Sequence, residues 1–140
     1  MSPISRNLQR RVRAKMVPRA NEDAIQIAIV TYLRMVLPRV AKVFHVPNGG
    51  KRNKSEAAKL KAMGVLPGVP DILIMVPPGR LYLAEVKSGK GTLEPEQQEF
   101  AREALQMGFG WCCVRSIDDM RKALAVWQVE TCDASLGSLV

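Results

Sequence analysis

Asp71, Glu85 and Lys87 are the residues whose types and spacing point most directly to chemistry. Asp71 opens an apolar run, Ile72-Leu73-Ile74-Met75-Val76. Fourteen residues on, Glu85 and Lys87 stand two apart near the end of a second run. Side chains alternate across a strand, so Glu85 and Lys87 share one face and Val86 points to the other. Pro77-Pro78-Gly79-Arg80 is a turn between the runs. In the resulting antiparallel hairpin Asp71 lies beside the Glu85–Lys87 end. Two carboxylates so close do not both ionise cheaply, because like charges raise a pKa. A divalent cation removes that conflict. Mg²⁺ keeps several of its waters and needs only one or two carboxylates with substrate phosphate oxygens. Such an ion polarises a phosphate and acidifies a bound water, and Lys87 would hold that water and balance charge. The Val86 carbonyl is a further candidate ligand. Taken alone, an Asp followed by E-x-K is common by chance, and an E-x-K on a strand is more often an exposed ion pair.

Two helices add polar groups to the same neighbourhood. Asn21 is a cap for a helix from Glu22 to just before Pro38, with Ile25, Ala28, Ile29, Tyr32, Leu33 and Val36 as its apolar stripe. Glu22 continues that stripe toward the sheet, although a first-turn acid also suits the helix dipole. Pro95 suits the first turn of a helix running to about Met107 and ended by Gly108. Gln97, Phe100, Ala101, Ala104 and Leu105 share its core-facing side, so the Gln97 amide needs a partner. The hairpin end would supply one; a buried backbone group would serve equally.

The remaining elements complete an α/β layer sandwich. Val40–Val46 reads as a strand, Lys54–Met63 as a short basic helix ended by Gly64, and Phe109–Arg115 as a strand. Ser116 to Asp119 resembles a capping box for a last helix reaching about Trp127. The doubly apolar run Ile72–Val76 reads as a strand covered on both faces. The expected fold is a mixed central sheet flanked by helices. Residues 1–20 read as a flexible basic arm, 21–128 as the folded domain and 129–140 as a loosely ordered tail.

Charge points to a polyanion. The chain of 140 residues carries 21 Lys and Arg against 13 Asp and Glu, a formal net charge of +8. Arg6, Arg10, Arg11, Arg13, Lys15 and Arg19 meet no acid in residues 1–20, and without them the balance is 15 against 13. A second cluster runs through Arg39, Lys42, Lys51, Arg52, Lys54, Lys59 and Lys61. Clustered cations of this kind release counterions from a phosphate backbone; a solvated surface with a basic tail is the plainer account. Asn48, Gly49, Gly50, Lys51 and Arg52 form a turn that would cradle a phosphate, or simply a solvated turn. No apolar run approaches the length of a membrane span, and no apolar stretch follows the basic start as in a secretory signal. The three cysteines form no C-x-x-C pair, which fits reduced thiols in a cytoplasmic protein. A bacterial or phage-type intracellular protein is the expectation, although the cysteines do not bear on that source. His45, the only histidine, falls on a strand without a carboxylate partner in sequence and reads as structural or DNA-facing.

Glu22-x-x-x-Gln26, Pro47-Asn48-Gly49-Gly50, Gly68-Val69-Pro70-Asp71, Glu85-Val86-Lys87 and Gln97-x-x-Phe100 occur in that order. The series resembles the successive motifs of the VRR-NUC family, a branch of the PD-(D/E)xK nucleases, over about residues 21 to 118. The resemblance implies a restriction-endonuclease-like core, αβββαβ, here with the basic helix as an extra element. It implies an Mg²⁺- or Mn²⁺-dependent DNA endonuclease. Asp71 and Glu85 would bind the metal, Glu22 would reach it through water, Lys87 would serve the attacking water and Gln97 would stand beside the site. Stand-alone members resemble junction resolvases, so branched DNA and a homodimer are implied. Arg10, Arg11, Arg13, Asn48, Lys51, Arg52, Lys54 and Lys59 would contact the DNA backbone. Glu94-Pro95 departs from the usual Ser or Thr before the proline. A flap or single-strand nuclease, or a basic nucleic-acid-binding module without catalysis, are the alternative readings.

Overall fold

A computed structural model of the chain describes residues 21–47 and 52–132. The element order is α1 (Glu22–Val36), β1 (Lys42–His45), α2 (Lys54–Ala62), β2 (Ile72–Val76), β3 (Arg80–Val86), α3 (Pro95–Gln106), β4 (Gly110–Val114) and α4 (Ile117–Val126). The strands form one sheet in the order β1-β2-β3-β4. β1 and β2, and β2 and β3, pair antiparallel; β3 and β4 pair parallel, so α3 is the crossover between them.

The helix starts follow local chemistry. Asn21 Oδ1 accepts the Ala24 N–H at 2.8 Å, and Asn53 Oδ1 accepts the Glu56 N–H at 2.8 Å. Ser116 Oγ accepts the Asp119 N–H at 3.1 Å, but the Asp119 carboxylate takes the N–H of Arg115 at 2.9 Å. The return half of the expected capping box thus closes on the residue before the cap.

One face of the sheet carries the core. Ile29, Leu33 and Val36 of α1 and Met120 and Leu124 of α4 pack on Val43, Ile72, Ile74, Ala84, Val86 and Val114. Each such fully buried aliphatic side chain contributes roughly 1.5–3 kcal/mol. The other face is covered only in part. Ala101 and Ala104 of α3 are buried near β4, while Met75 is 50% exposed and Leu73 half-buried. This corrects the expectation that β2 is covered on both faces. β2 is interior in strand order, but the crossover helix lies over the β3–β4 end and leaves the β1–β2 end open.

β1 is shorter than the Val40–Val46 expected, because the Ala41 N–H turns back onto the Pro38 carbonyl and leaves Val40 exposed. The folded unit also continues beyond 128. Val129 is buried, and the Cys132 N–H donates to the Val36 carbonyl at 2.9 Å. Residues 1–20 and 133–140 lie outside the described residues. No helix among the described residues is long and apolar enough to cross a membrane.

Candidate active site at the open end of the central hairpin

The register of the hairpin sets the site. Ile72 opposes Ala84, so one step further Asp71 falls opposite Glu85. The Val86 N–H donates to Asp71 Oδ2 at 2.9 Å, which fixes the Asp71 carboxylate against β3. Glu85 and Lys87 are both buried, at 2% and 7% exposure, and the Lys87 ammonium lies 3.9 Å from Glu85 Oε1. A carboxylate and an ammonium are rarely buried to this degree in a solvated surface pair.

α3 supplies the next group. Gln97 Nε2 donates to Glu85 Oε1 at 2.8 Å, and Gln97 Oε1 accepts the N–H of Glu94 at 2.9 Å. The helix start therefore orients the amide: the oxygen is engaged by the backbone, and the NH₂ faces Glu85. Glu94 serves here in place of a Ser or Thr cap without disturbing the helix.

Gly68 brings this helix close to Asp71. Its φ is +82°, and a Cβ there would run into the Glu96 carbonyl in the first turn of α3. Only glycine tolerates both the backbone conformation and the approach. The Gly68-Val69-Pro70-Asp71 segment is thereby seated on the turn that carries Gln97.

A cleft of about 620 Å³ opens at this end of the sheet, lined among others by Glu22, Asp23, Gln26, His45, Asp71 and Gln97. Glu22 stands at the start of α1, so α1, β1, the segment leading into β2 and α3 all contribute to one cavity. His45 ends β1 opposite Ile72, and its Nδ1 lies 2.6 Å from the Asp71 carbonyl. Nδ1 is therefore the protonated ring nitrogen in this contact.

Glu85 is the electrostatic anomaly. Its Oε2 is buried with no hydrogen-bond partner. Its pKa is pushed from 4.5 up to about 8, first by burial, then by the adjacent Asp71 charge and a hydrogen bond to Asp71; Glu22 adds to this and Lys87 opposes it. A protonated Glu85 keeps its proton and donates a hydrogen bond to the Asp71 carboxylate. An ionised Glu85 places two carboxylates side by side with one oxygen orphaned. Among the described residues no group of three or more His, Cys, Asp or Glu stands close enough to hold an ion by side chains alone. The donor set is a pair, Asp71 and Glu85, with Glu22 elsewhere on the cleft wall. A pair of carboxylates fits Mg²⁺, which retains waters, and the orphaned Oε2 is the kind of acceptor a cation would satisfy.

The expected DNA contacts fall partly within the described residues. Arg52, Lys54 and Lys59 are exposed on and before α2, which buries none of its residues. Arg52 also donates to the Pro47 carbonyl at 3.5 Å. Arg10, Arg11, Arg13, Asn48 and Lys51 lie outside the described residues. Asp23, Gln26 and His45 reach the cleft without having been assigned to it from sequence. Glu22 and Gln26, one helical turn apart, carried that signal for Gln26; His45 carried none, because its contact spans 26 residues.

A mixed sheet in αβββαβ order, with helices on its faces, is the restriction-endonuclease-like core of the PD-(D/E)xK nucleases. A solved structure described as a VRR_NUC domain protein matches it with a TM-score of 0.59 and 25% identity, over 77% of this chain and 85% of that one. The resemblance of the motifs to the VRR-NUC family is borne out by this match in fold. No protein-family model matches the sequence. No curated protein matches it either.

Proposed function

We propose that the chain is a divalent-metal-dependent DNA endonuclease that hydrolyses phosphodiester bonds at the Asp71–Glu85 pair. The observation that carries this reading is Glu85: a buried carboxylate with an orphaned oxygen, held against a lysine and against Asp71, which lines the cleft. A purely structural site would gain by replacing it with a neutral group.

Asp71, Glu85 and the Val86 carbonyl would hold Mg²⁺ or Mn²⁺, with Glu22 reaching it through water. When bound, the ion supplies Lewis-acid stabilisation of the phosphate and a more acidic water. The protein's own residues do the positioning. The Val86 N–H orients Asp71, and the Gln97 amide orients Glu85. The Lys87 ammonium, kept beside Glu85, stabilises the developing negative charge and holds the attacking water in line. Hydrolysis forms one bond from the water oxygen to phosphorus and breaks one ester bond to the leaving oxygen. The water gives up a proton and the leaving oxygen gains one.

The DNA backbone would run across the exposed Arg52, Lys54 and Lys59 and the basic residues Arg10, Arg11, Arg13, Asn48 and Lys51. One cleft cuts one strand. Symmetric cutting of a four-way junction needs two clefts related by a two-fold axis, which a homodimer provides. The open sheet face bearing Phe44 and Met75 offers apolar surface for that contact. Branched DNA is the expected substrate because the motifs resemble those of stand-alone VRR-NUC members, which are similar to junction resolvases.

The test is cleavage of labelled junction, flap, single-stranded and linear duplex DNA by the full chain, with Mg²⁺ and with EDTA. The reading expects metal-dependent cleavage, strongest on junctions and lost in Asp71→Ala and Glu85→Ala while binding persists. Binding without cleavage, tightened by those two substitutions, identifies a non-catalytic nucleic-acid holder instead.

A further inference from the structure

We infer that Arg115 is a positioning residue for this site, clamping the loop of residues 88–91 against Lys87 and Glu22; the inference rests on the nuclease reading above. Arg115 follows β4, the parallel neighbour of β3. Its Nη1 donates to the Gly89 carbonyl at 2.9 Å, and its Nη2 donates to the Gly91 carbonyl at 2.7 Å. The Arg115 backbone is itself fixed, its N–H donating to Asp119 Oδ2 at the start of α4. At the other side the Lys87 N–H donates to the Val114 carbonyl at 3.1 Å.

The clamped loop runs beside the site. A Cβ on Gly91 would lie 3.9 Å from Glu22 Oε1 and 3.9 Å from Lys87 Cδ. The loop thus passes against both the lysine stem and the carboxylate of α1, two groups on separate elements. Its sequence, Ser88-Gly89-Lys90-Gly91, offers little to hold it there. The Gly91 N–H to Ser88 carbonyl bond at 2.9 Å closes the turn on itself but ties it to nothing else. Two glycines make the free loop costly to order. The guanidinium supplies the missing tether, since its planar fork can satisfy two carbonyls at once and a lysine ammonium cannot reproduce that geometry. Lys87 then meets the attacking water from a fixed stem.

The experiment compares the full-length wild type with Arg115→Ala and Arg115→Lys in steady-state cleavage over a range of DNA concentrations at saturating Mg²⁺. Removing the clamp is expected to lower kcat by about tenfold or more while KM changes by less than about twofold. Arg115→Lys recovers little of this, and added guanidinium ion restores part of the activity of Arg115→Ala. Hydrogen exchange at the Gly91 amide accelerates in both variants. A raised KM with kcat retained makes Arg115 a DNA contact and overturns the inference, as does an unchanged kcat. Wild-type protein that cleaves no DNA overturns the nuclease reading; the clamp is then decided by Gly91 exchange alone, and unchanged exchange refutes it.

Discussion

Replacing Glu85 with Gln should make the metal-free protein more stable at about pH 8 while abolishing cleavage. In the folded chain Glu85 keeps its proton up to about pH 8, whereas an ordinary glutamate releases it near 4.5. Between those values the folded state binds one proton more than the unfolded state. Stability therefore falls as pH rises from 4.5 and levels off above about 8. At ~1.4 kcal/mol per pH unit the interval sets a ceiling of about 5 kcal/mol. Buried sites relax and respond with an effective dielectric constant of about 20, so the observable loss is on the order of 2 kcal/mol. Glutamine keeps the shape, accepts the Gln97 N–H through its oxygen and donates to Asp71 through its nitrogen, and it does not titrate. Urea unfolding in EDTA across this range reads the effect as midpoints. Wild type and variant should coincide near the acid end and separate by on the order of 2 kcal/mol at the alkaline end, with the variant the more stable. A wild type whose stability is flat with pH, or a Gln variant weaker than wild type at about pH 8, refutes the reasoning on Glu85.

Other outcomes follow from the same geometry. Gly68→Ala forces a methyl into the Glu96 carbonyl at a positive φ, so it should cost more than about 1 kcal/mol in denaturant unfolding and cut activity by separating α3 from Asp71. Gln97→Leu loses the hydrogen bonds to both Glu85 and the Glu94 N–H; a stability loss of roughly 1–2 kcal/mol and a fall in kcat larger than any change in KM are expected from unfolding and steady-state kinetics. Because a metal-bound Glu85 must be ionised, the cleavage rate at limiting Mg²⁺ should rise with pH toward about 8 and then flatten. A pH–rate profile at fixed limiting Mg²⁺ checks this, and the rise should shrink when Mg²⁺ is saturating.

The hairpin was legible because few quantities define it. A short turn and a period of two bring Asp71 beside the Glu85–Lys87 end, but the exact register was not fixed: Arg80, expected in the turn, pairs with Val76, and this sets Asp71 opposite Glu85. Gln97 was legible for the same kind of reason, since its place in the stripe of α3 turns it inward. The covering of β2 was not, because it depends on where the crossover helix lands, and composition cannot distinguish Leu73 and Met75 from core residues. The cleft wall was only half legible. Glu22 and Gln26 belong to one helix face, but the contact of His45 with the Asp71 carbonyl crosses two strands. Arg115 gave no local sign, for its partners Gly89 and Gly91 lie 26 and 24 residues away and offer only backbone oxygens. The Asp119 carboxylate met the right kind of donor one residue earlier than the capping pattern suggests.

The claim on which the rest stands is that Asp71 and Glu85 together grip one divalent cation. Titrating the metal-free chain with Mn²⁺, and following bound ion by electron paramagnetic resonance at about pH 8, measures this without DNA or turnover. Wild type should bind Mn²⁺ with release of about half a proton at this pH, and Asp71→Asn and Glu85→Gln should each abolish the binding. Equal Mn²⁺ binding by all three proteins, or none by the wild type, would contradict the account.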